Sequence, residues 1–269
     1  MCDPSELETT LRGSEELRQR IIRDIGSSTV ALFAVFASKE GDRLELAGTG
    51  TLVVLGASYY ILTAAHVWEE VLKSAAKLGI TLTDNINHRY LMDVKTIVPH
   101  ALARPQNWGE WGPDLVLLRI PSEYVGGIKA FQFFYDLTVN GSTALGVDHV
   151  ETRVLMGTPK VRGKFTQTHA DVEINGLFVN SDAPCETRGD FDYFDLEIDR
   201  SIPGLPENFG GVSGGGLWKV SVYCSCSTGR IDWVRTLEGV AFYDLVIESG
   251  RRIIRCHGPK SIVAIIPSS

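Results

Sequence analysis

From Ser27 almost to its end, this chain is cut by Gly, Pro, Asn and Asp into short runs rich in β-branched, aromatic and aliphatic residues. Runs of about four to a dozen residues with this composition read as strands rather than helices. They cover Thr29–Ala37, Leu44–Leu55, Tyr59–Thr63, Lys95–Val98, Leu115–Ile120 and Phe131–Tyr135. Glu151–Met156, Val172–Val179, Phe194–Asp199, Gly216–Cys226, Ile231–Phe242 and Arg252–Cys256 follow. So many strands with so few helices between them predict an all-β fold of antiparallel barrels or a sandwich, and argue against βαβ units. One helix is predicted inside the series, over Val67–Leu78, with Val67, Val71, Leu72, Ala75 and Ala76 as its apolar side. A short last helix begins at Pro259, with Ile262, Val263, Ile265 and Ile266 on its apolar side.

The first 26 residues obey a different period. Asp3, Pro4 and Glu6 have the chemistry of a helix start, and Leu7 and Leu11 then lie one turn apart. Gly13 breaks the run, Ser14 can cap a second helix, and Leu17, Ile21 and Ile25 fall on one face before Gly26 ends it. The reading is an amphipathic helical arm, lying on the outside of the body or offering a surface to a regulatory partner.

Composition narrows the partners. No apolar run approaches the roughly 18–20 residues a membrane span needs. The opening MCDPSELETTLRG lacks the basic-then-apolar order of a secretory leader. With 26 Lys+Arg against 33 Asp+Glu the formal net charge is −7, so no basic field for nucleic acid is expected. The five cysteines (Cys2, Cys185, Cys224, Cys226 and Cys256) are an odd number. Free thiols in a reducing compartment are the better reading, and a cytoplasmic protein is expected.

Three strings carry candidate chemistry. TAAHV (Thr63–Val67) places His66 where an apolar strand meets a helix, a setting that can fix its ring. PDLVLLRIP (Pro113–Pro121) places Asp114 just before a buried strand. GGVSGGG (Gly210–Gly216) surrounds Ser213 with glycines, whose freedom lets a turn aim two backbone N–H groups at one point. Each string alone has a plain structural reading: a hydrogen-bonded histidine, a strand-capping aspartate, a glycine turn. Together they supply a nucleophile, a base of suitable pKa and a carboxylate to orient that base.

The order His, Asp, Ser, carried by TAAHV, DLVLL and GVSGG, closely resembles the chymotrypsin-like serine peptidases. His66 and Asp114 are 48 residues apart, and Ser213 lies 99 beyond Asp114. The resemblance spans about residues 27–267, and VLMGTP (Val154–Pro159), GVSGGGLW (Gly211–Trp218) and HGPKSI (His257–Ile262) resemble bacterial, disulfide-free members. It implies two packed six-stranded antiparallel β-barrels with an N-terminal helical arm and a short C-terminal helix. The lobes would be 27–122, holding His66 and Asp114, and 123–269, holding Ser213, after an arm at 1–26. The resemblance implies a serine endopeptidase without cofactor or metal, working on a polypeptide substrate through an acyl-enzyme. Ser213 would be the nucleophile, His66 the base and Asp114 the orienting carboxylate, with Gly211 and Ser213 N–H groups as oxyanion donors. Gly210 would border the substrate pocket, and the strand containing Phe242, Tyr243 and Asp244 would line the cleft. Glu207, six residues before the nucleophile, would favour basic side chains.

Departures from the family pattern are informative. Val212 stands where zymogen-activated animal enzymes carry an aspartate, so that activation route has no acidic partner here. The segments Thr81–His100 and Gly176–Pro206 are candidates to cover the cleft, and Trp108 and Trp111 to wall it. Cys224, Cys226, Cys256 and His257 are a weak metal-ligand set, since neighbours along a strand point apart. Two rival functions remain: a non-catalytic binding or scaffold module on the same barrels, and an esterase using the same triad.

Overall fold

The computed structural model describes residues 4–39, 41–81, 89–103, 111–138, 148–160, 164–165, 170–171, 173–179, 182–198, 205, 209–225, 228–246 and 251–267. Two helices open it, α1 (Pro4–Gly13) and α2 (Glu15–Gly26), the second capped by the Ser14 hydroxyl accepting from Leu17 N–H. The first large sheet is built from β1 (Thr29–Phe36), β2 (Arg43–Leu55), β3 (Ser58–Thr63), β4 (Lys77–Thr81), β5 (Arg89–Asp93), β6 (Val98–Ala103), β7 (Asp114–Arg119) and β8 (Tyr135–Asp136). Helix α3 (Ser122–Lys129) leads out of it. The second sheet holds β9 (His149–Gly157), β12 (Asn175–Val179), β13 (Cys185–Arg188), β14 (Phe191–Ile198), β15 (Gly216–Cys224), β16 (Ile231–Val246) and β17 (Arg252–His257). A two-stranded ribbon, β10 (Lys164–Phe165) and β11 (Ala170–Asp171), stands apart, and α4 (Pro259–Ile265) closes the chain.

The all-β expectation holds, with antiparallel sheets and helices at both ends. Strand order in the first sheet is β5-β4-β1-β2-β3-β7-β6, with β8 added in parallel to β2. Its edges, β5 and β6, are joined only by the short turn Val94–Thr96. One bent run therefore pairs with β4 at one end and β7 at the other, and the sheet curls into a barrel of six runs plus β8. The second sheet repeats this logic, its edges β12 and β13 being consecutive in sequence.

Alternation along the strands sorts side chains between cores. In β7, Val116 and Leu118 enter the first-barrel core while Leu115 and Leu117 face the layer between the lobes. In β15, Leu217 enters the second-barrel core, with Phe209, Val212, Ile254 and Cys256, while Trp218, Val220 and Val222 face that same middle layer. Leu11, Leu17, Ile21 and Ile25 of the N-terminal helices join the middle layer. At about 1.5–3 kcal/mol for each fully buried aliphatic side chain, this stripe holds the helices firmly to the body. Asp24 adds a polar tie, accepting from Trp233 Nε1 at 3.0 Å and facing Arg235 Nε at 3.4 Å. The arm thus lies on the body with its apolar face occupied.

Several local expectations change. The helix expected over Val67–Leu78 is a π-helical turn, Val67–Val71, then a 3-10 turn, Leu72–Ser74, and Leu78 belongs to β4. Leu78 and Ile80 alternate into the first-barrel core, and this long-range pairing with β1 outweighs the local helical spacing. The strand expected at Lys95–Val98 is mostly the turn between β5 and β6, and only Tyr135 of Phe131–Tyr135 is strand. The described parts of Thr81–His100 and Gly176–Pro206 are barrel wall rather than cleft covers, because they supply β5, β6 and β12–β14. Cys185, Cys224 and Cys256 are free thiols. No described helix is long and apolar enough to cross a membrane.

Candidate active site

His66 sits where β3 gives way to the turn Val67–Val71, with helical φ and ψ of −61° and −32°. Asp114 is the first residue of β7, which pairs with β3 so that Thr63 faces Val116. The antiparallel register therefore brings the end of one strand beside the start of the other. Asp114 is buried, and both of its carboxylate oxygens are used on one residue. Oδ1 accepts the His66 backbone N–H at 2.8 Å, and Oδ2 meets His66 Nδ1 at 2.6 Å. This two-point grip sets ring and main chain together, places the imidazole proton on Nδ1 and leaves the Nε2 lone pair as a base. Burial alone would lower the His66 pKa. The hydrogen bond and charge of Asp114, joined by the Glu70 charge, outweigh it and hold the pKa above its ordinary value.

Ser213, half-buried, lies in the loop between Phe209 and β15. Gly211 and Gly214 adopt φ of +93° and +88°, a region closed to most side-chain-bearing residues. A Cβ on Gly214 would also overlap the Thr49 carbonyl and the Thr63 hydroxyl. These turns make successive amides alternate. The Val212, Gly214 and Gly215 N–H groups donate to Phe209, Ala241 and Val212 carbonyls at 2.9, 2.7 and 2.8 Å. The Gly211 and Ser213 N–H groups have no acceptor among the described residues. Lys160 N–H donates to the Gly210 carbonyl at 2.7 Å, which fixes that peptide with its Gly211 N–H on the opposite side. Two free donors in one turn beside a serine are what a cradle for a negatively charged oxygen requires.

The loop is docked onto the first barrel by Thr49 of β2. Thr49 N–H donates to the Ser213 carbonyl at 2.9 Å, and its hydroxyl donates to the Gly211 carbonyl at 2.7 Å. That hydroxyl accepts Thr158 N–H at 2.9 Å, and the Thr49 carbonyl accepts the Thr63 hydroxyl at 2.7 Å. Thr63 is three residues before His66, so one threonine links the serine loop to the histidine strand. A Cβ at Gly48 would lie 2.8 Å from the Ser213 carbonyl oxygen and 2.9 Å from a Val67 methyl, so the loop also abuts the residue after His66. Thr49→Val, similar in shape but without the hydroxyl, is expected to cost about 1–3 kcal/mol of stability by stranding two buried partners. Thr49→Ser, which keeps the hydroxyl, should restore the melting temperature.

Strand β16 borders the loop. Val240 faces Gly216 of β15, but Phe242–Val246 have β17 on one side and no described strand on the other. Tyr243 is half-buried, and exposed Asp244 pairs with Arg252 at 3.3 Å. Phe242 lies in the strand expected to line the cleft, with its side chain buried. It is the extra residue of a bulge between Ala241 and Tyr243, is 3% exposed, and packs into the first-barrel core. Gly210 is exposed beside the loop. Glu207, Trp108, Cys2 and Cys226 lie outside the described residues. Trp111 is clasped between the Arg188 and Arg255 guanidinium groups, 3.4 and 3.3 Å from its ring centre. Its carbonyl accepts the Tyr193 hydroxyl, so it acts as a strut of the chain leading to Asp114.

Thr49 and Lys160 are not legible as site residues in the sequence, Thr63 is legible only as the start of TAAHV, and a second histidine, His257, only within HGPKSI and as a weak metal ligand. Each acts here through partners distant in sequence. No protein-family model matches the chain. No curated protein sequence matches it. It is similar to a structure solved in work on aromatic interactions that drive coupled folding and binding of the intrinsically disordered Sesbania mosaic virus VPg protein. That match has a TM-score of 0.42 at 13% identity, over 86% of this chain and 85% of the other. A likeness at this level bears on neither fold nor function.

Proposed function

We propose that this protein is a serine endopeptidase of chymotrypsin-like design, acting through Ser213, His66 and Asp114. The observation that carries the reading is the two-point grip of Asp114 on His66, in a site whose serine loop holds two unpaired amides. In the reaction, Ser213 Oγ attacks the substrate carbonyl carbon while His66 Nε2 takes its proton. The carbonyl oxygen becomes an oxyanion and is held by the Gly211 and Ser213 N–H groups. Collapse breaks the C–N bond, and His66 returns the proton to the departing amine. Water, deprotonated by His66, then hydrolyses the acyl-Ser213 ester and frees the enzyme. Asp114 keeps the imidazole in its working tautomer and stabilises the imidazolium formed at each step.

A polypeptide is favoured over a simple ester by β16 beyond Val240, which has β17 on one side and no described strand on the other. An edge of that kind suits an extended chain docking as an added strand. A purely binding module on the same barrels would have no use for a histidine gripped at two points by a buried carboxylate. The direct test is a fluorophosphonate probe applied to the wild-type chain and to His66→Ala. Wild type is expected to label on Ser213, and His66→Ala to lose the label while melting as cooperatively as wild type. A folded wild-type chain that takes no label would overturn the reading.

A further inference from the structure

His257 is the last residue of β17, is fully buried, and lies directly behind Asp114. Its Nε2 accepts the Asp114 backbone N–H at 3.1 Å. An acceptor Nε2 requires the neutral ring with its proton on Nδ1, and Nδ1 finds no partner among the described residues. The ring stacks on Phe242, with centroids 4.2 Å apart and planes 25° from parallel, and tilts against Tyr193 at 5.2 Å. Just beyond it, Gly258 N–H donates to the Asp192 carbonyl. The Asp192 carboxylate accepts from Lys260 N–H, Ser261 N–H and the Ser261 hydroxyl at the start of α4. His257 therefore joins the serine lobe to the carboxylate of the histidine lobe.

This placement is costly for a structural residue. A buried polar atom without a partner destabilises a fold by about 1–3 kcal/mol, and an apolar ring would fill the same space without that loss. What only the histidine supplies is the acceptor for the Asp114 amide. That bond sets where the Asp114 main chain lies, and so where its two carboxylate oxygens meet His66.

We propose that neutral His257 is a positioning residue of this site, holding Asp114 through its backbone N–H and releasing it when the ring is protonated. The proposal rests on the serine-hydrolase reading for its effect on rate. A protonated ring has no lone pair at Nε2, so two donors would face each other and the grip on His66 would loosen. The titratable groups facing His257 are Asp114 from β7 and Asp192 and Tyr193 from β14, while β16 presents the uncharged Phe242. Burial pulls the His257 pKa down to about 4, against the upward push of the Asp114 and Asp192 charges. The ring therefore stays neutral wherever His66 can act as a base. The sign for stability follows from this lowered value. The unfolded chain binds the extra proton more readily, so stability is full above the ordinary value of 6.5 and falls as pH drops from there towards 4.

The test compares wild type, His257→Phe, which keeps a ring without an acceptor, and His257→Gln, which offers an acceptor that does not titrate. Fluorophosphonate labelling is followed against pH. The proton of the short His66–Asp114 hydrogen bond is followed by its far-downfield NMR resonance. His257→Phe is expected to label about tenfold more slowly at neutral pH, the equivalent of one hydrogen bond, and to broaden that resonance. His257→Gln should recover most of the rate and the resonance. It should also lack the second acid ionisation expected of wild type near pH 4, and lose less melting temperature on acidification. A His257→Phe protein that keeps both rate and resonance overturns the proposal, as does a His257→Gln protein that keeps the second ionisation. If wild type fails to label, the hydrolase reading falls, and the resonance and acid melting still decide the role of His257.

Discussion

Replacing Ser213 with Ala is expected to abolish fluorophosphonate labelling and to lower peptide hydrolysis on the order of 10⁴-fold or more. The substitution removes one oxygen from a half-buried position. The loop is shaped by main-chain bonds that do not involve that oxygen: Thr49 N–H to the Ser213 carbonyl, Gly214 N–H to Ala241, and Lys160 N–H to Gly210. The fold should therefore be indifferent, with a melting temperature close to wild type. The two amides remain free, so the variant should still bind an extended peptide while turning none over. Label persisting at another residue, or hydrolysis continuing at a similar rate, would remove Ser213 from the mechanism.

Asp114→Asn should be nearly as severe, with a loss on the order of 10⁴-fold, for a different reason. Asparagine keeps the shape, but its Nδ2 donates where Oδ1 or Oδ2 now accepts. One of the two His66 N–H groups then meets a donor, and the ring turns to the tautomer whose Nε2 carries the proton. The pH dependence carries a second signature. In wild type the labelling rate should rise with pH as His66 loses its proton, with a midpoint above 6.5 because burial, which lowers the pKa, is outweighed by the Asp114 hydrogen bond and charge together with the Glu70 charge. Without the Asp114 charge, burial dominates and the midpoint should move to lower pH. A variant with wild-type rate and midpoint would show that the carboxylate does not act on His66.

Much of this architecture was legible because the physics was local. Short continuous apolar runs in DLVLLR and YYILT mark buried strands, and turn chemistry marks their ends, so the sequence alone places His66 and Asp114 at strand termini. What was missed needs distant partners. Val67–Ala76 has helical spacing, and nothing nearby reveals that Leu78 and Ile80 pair with β1 instead. SEYVGGIK contains two adjacent glycines, which argue against the helix α3 that forms there. Thr49 stands in a run of small residues that suggests no role, and His257 beside a cysteine suggests a metal ligand rather than a partner of Asp114. Their partners, Gly211 and Asp114, are 162 and 143 residues away in the chain.

If the side of β16 that has no described strand takes substrate as an added strand, it would sort polypeptides by their state before sorting them by sequence. Every extended chain offers the same main-chain donors and acceptors, so docking along Phe242–Val246 asks only that a segment be free to lie straight. Strands already paired within a folded protein fail that requirement, whereas frayed termini, long loops and misfolded chains meet it. A hydrolase built around this edge would therefore leave compact neighbours intact and act on chains that have come loose.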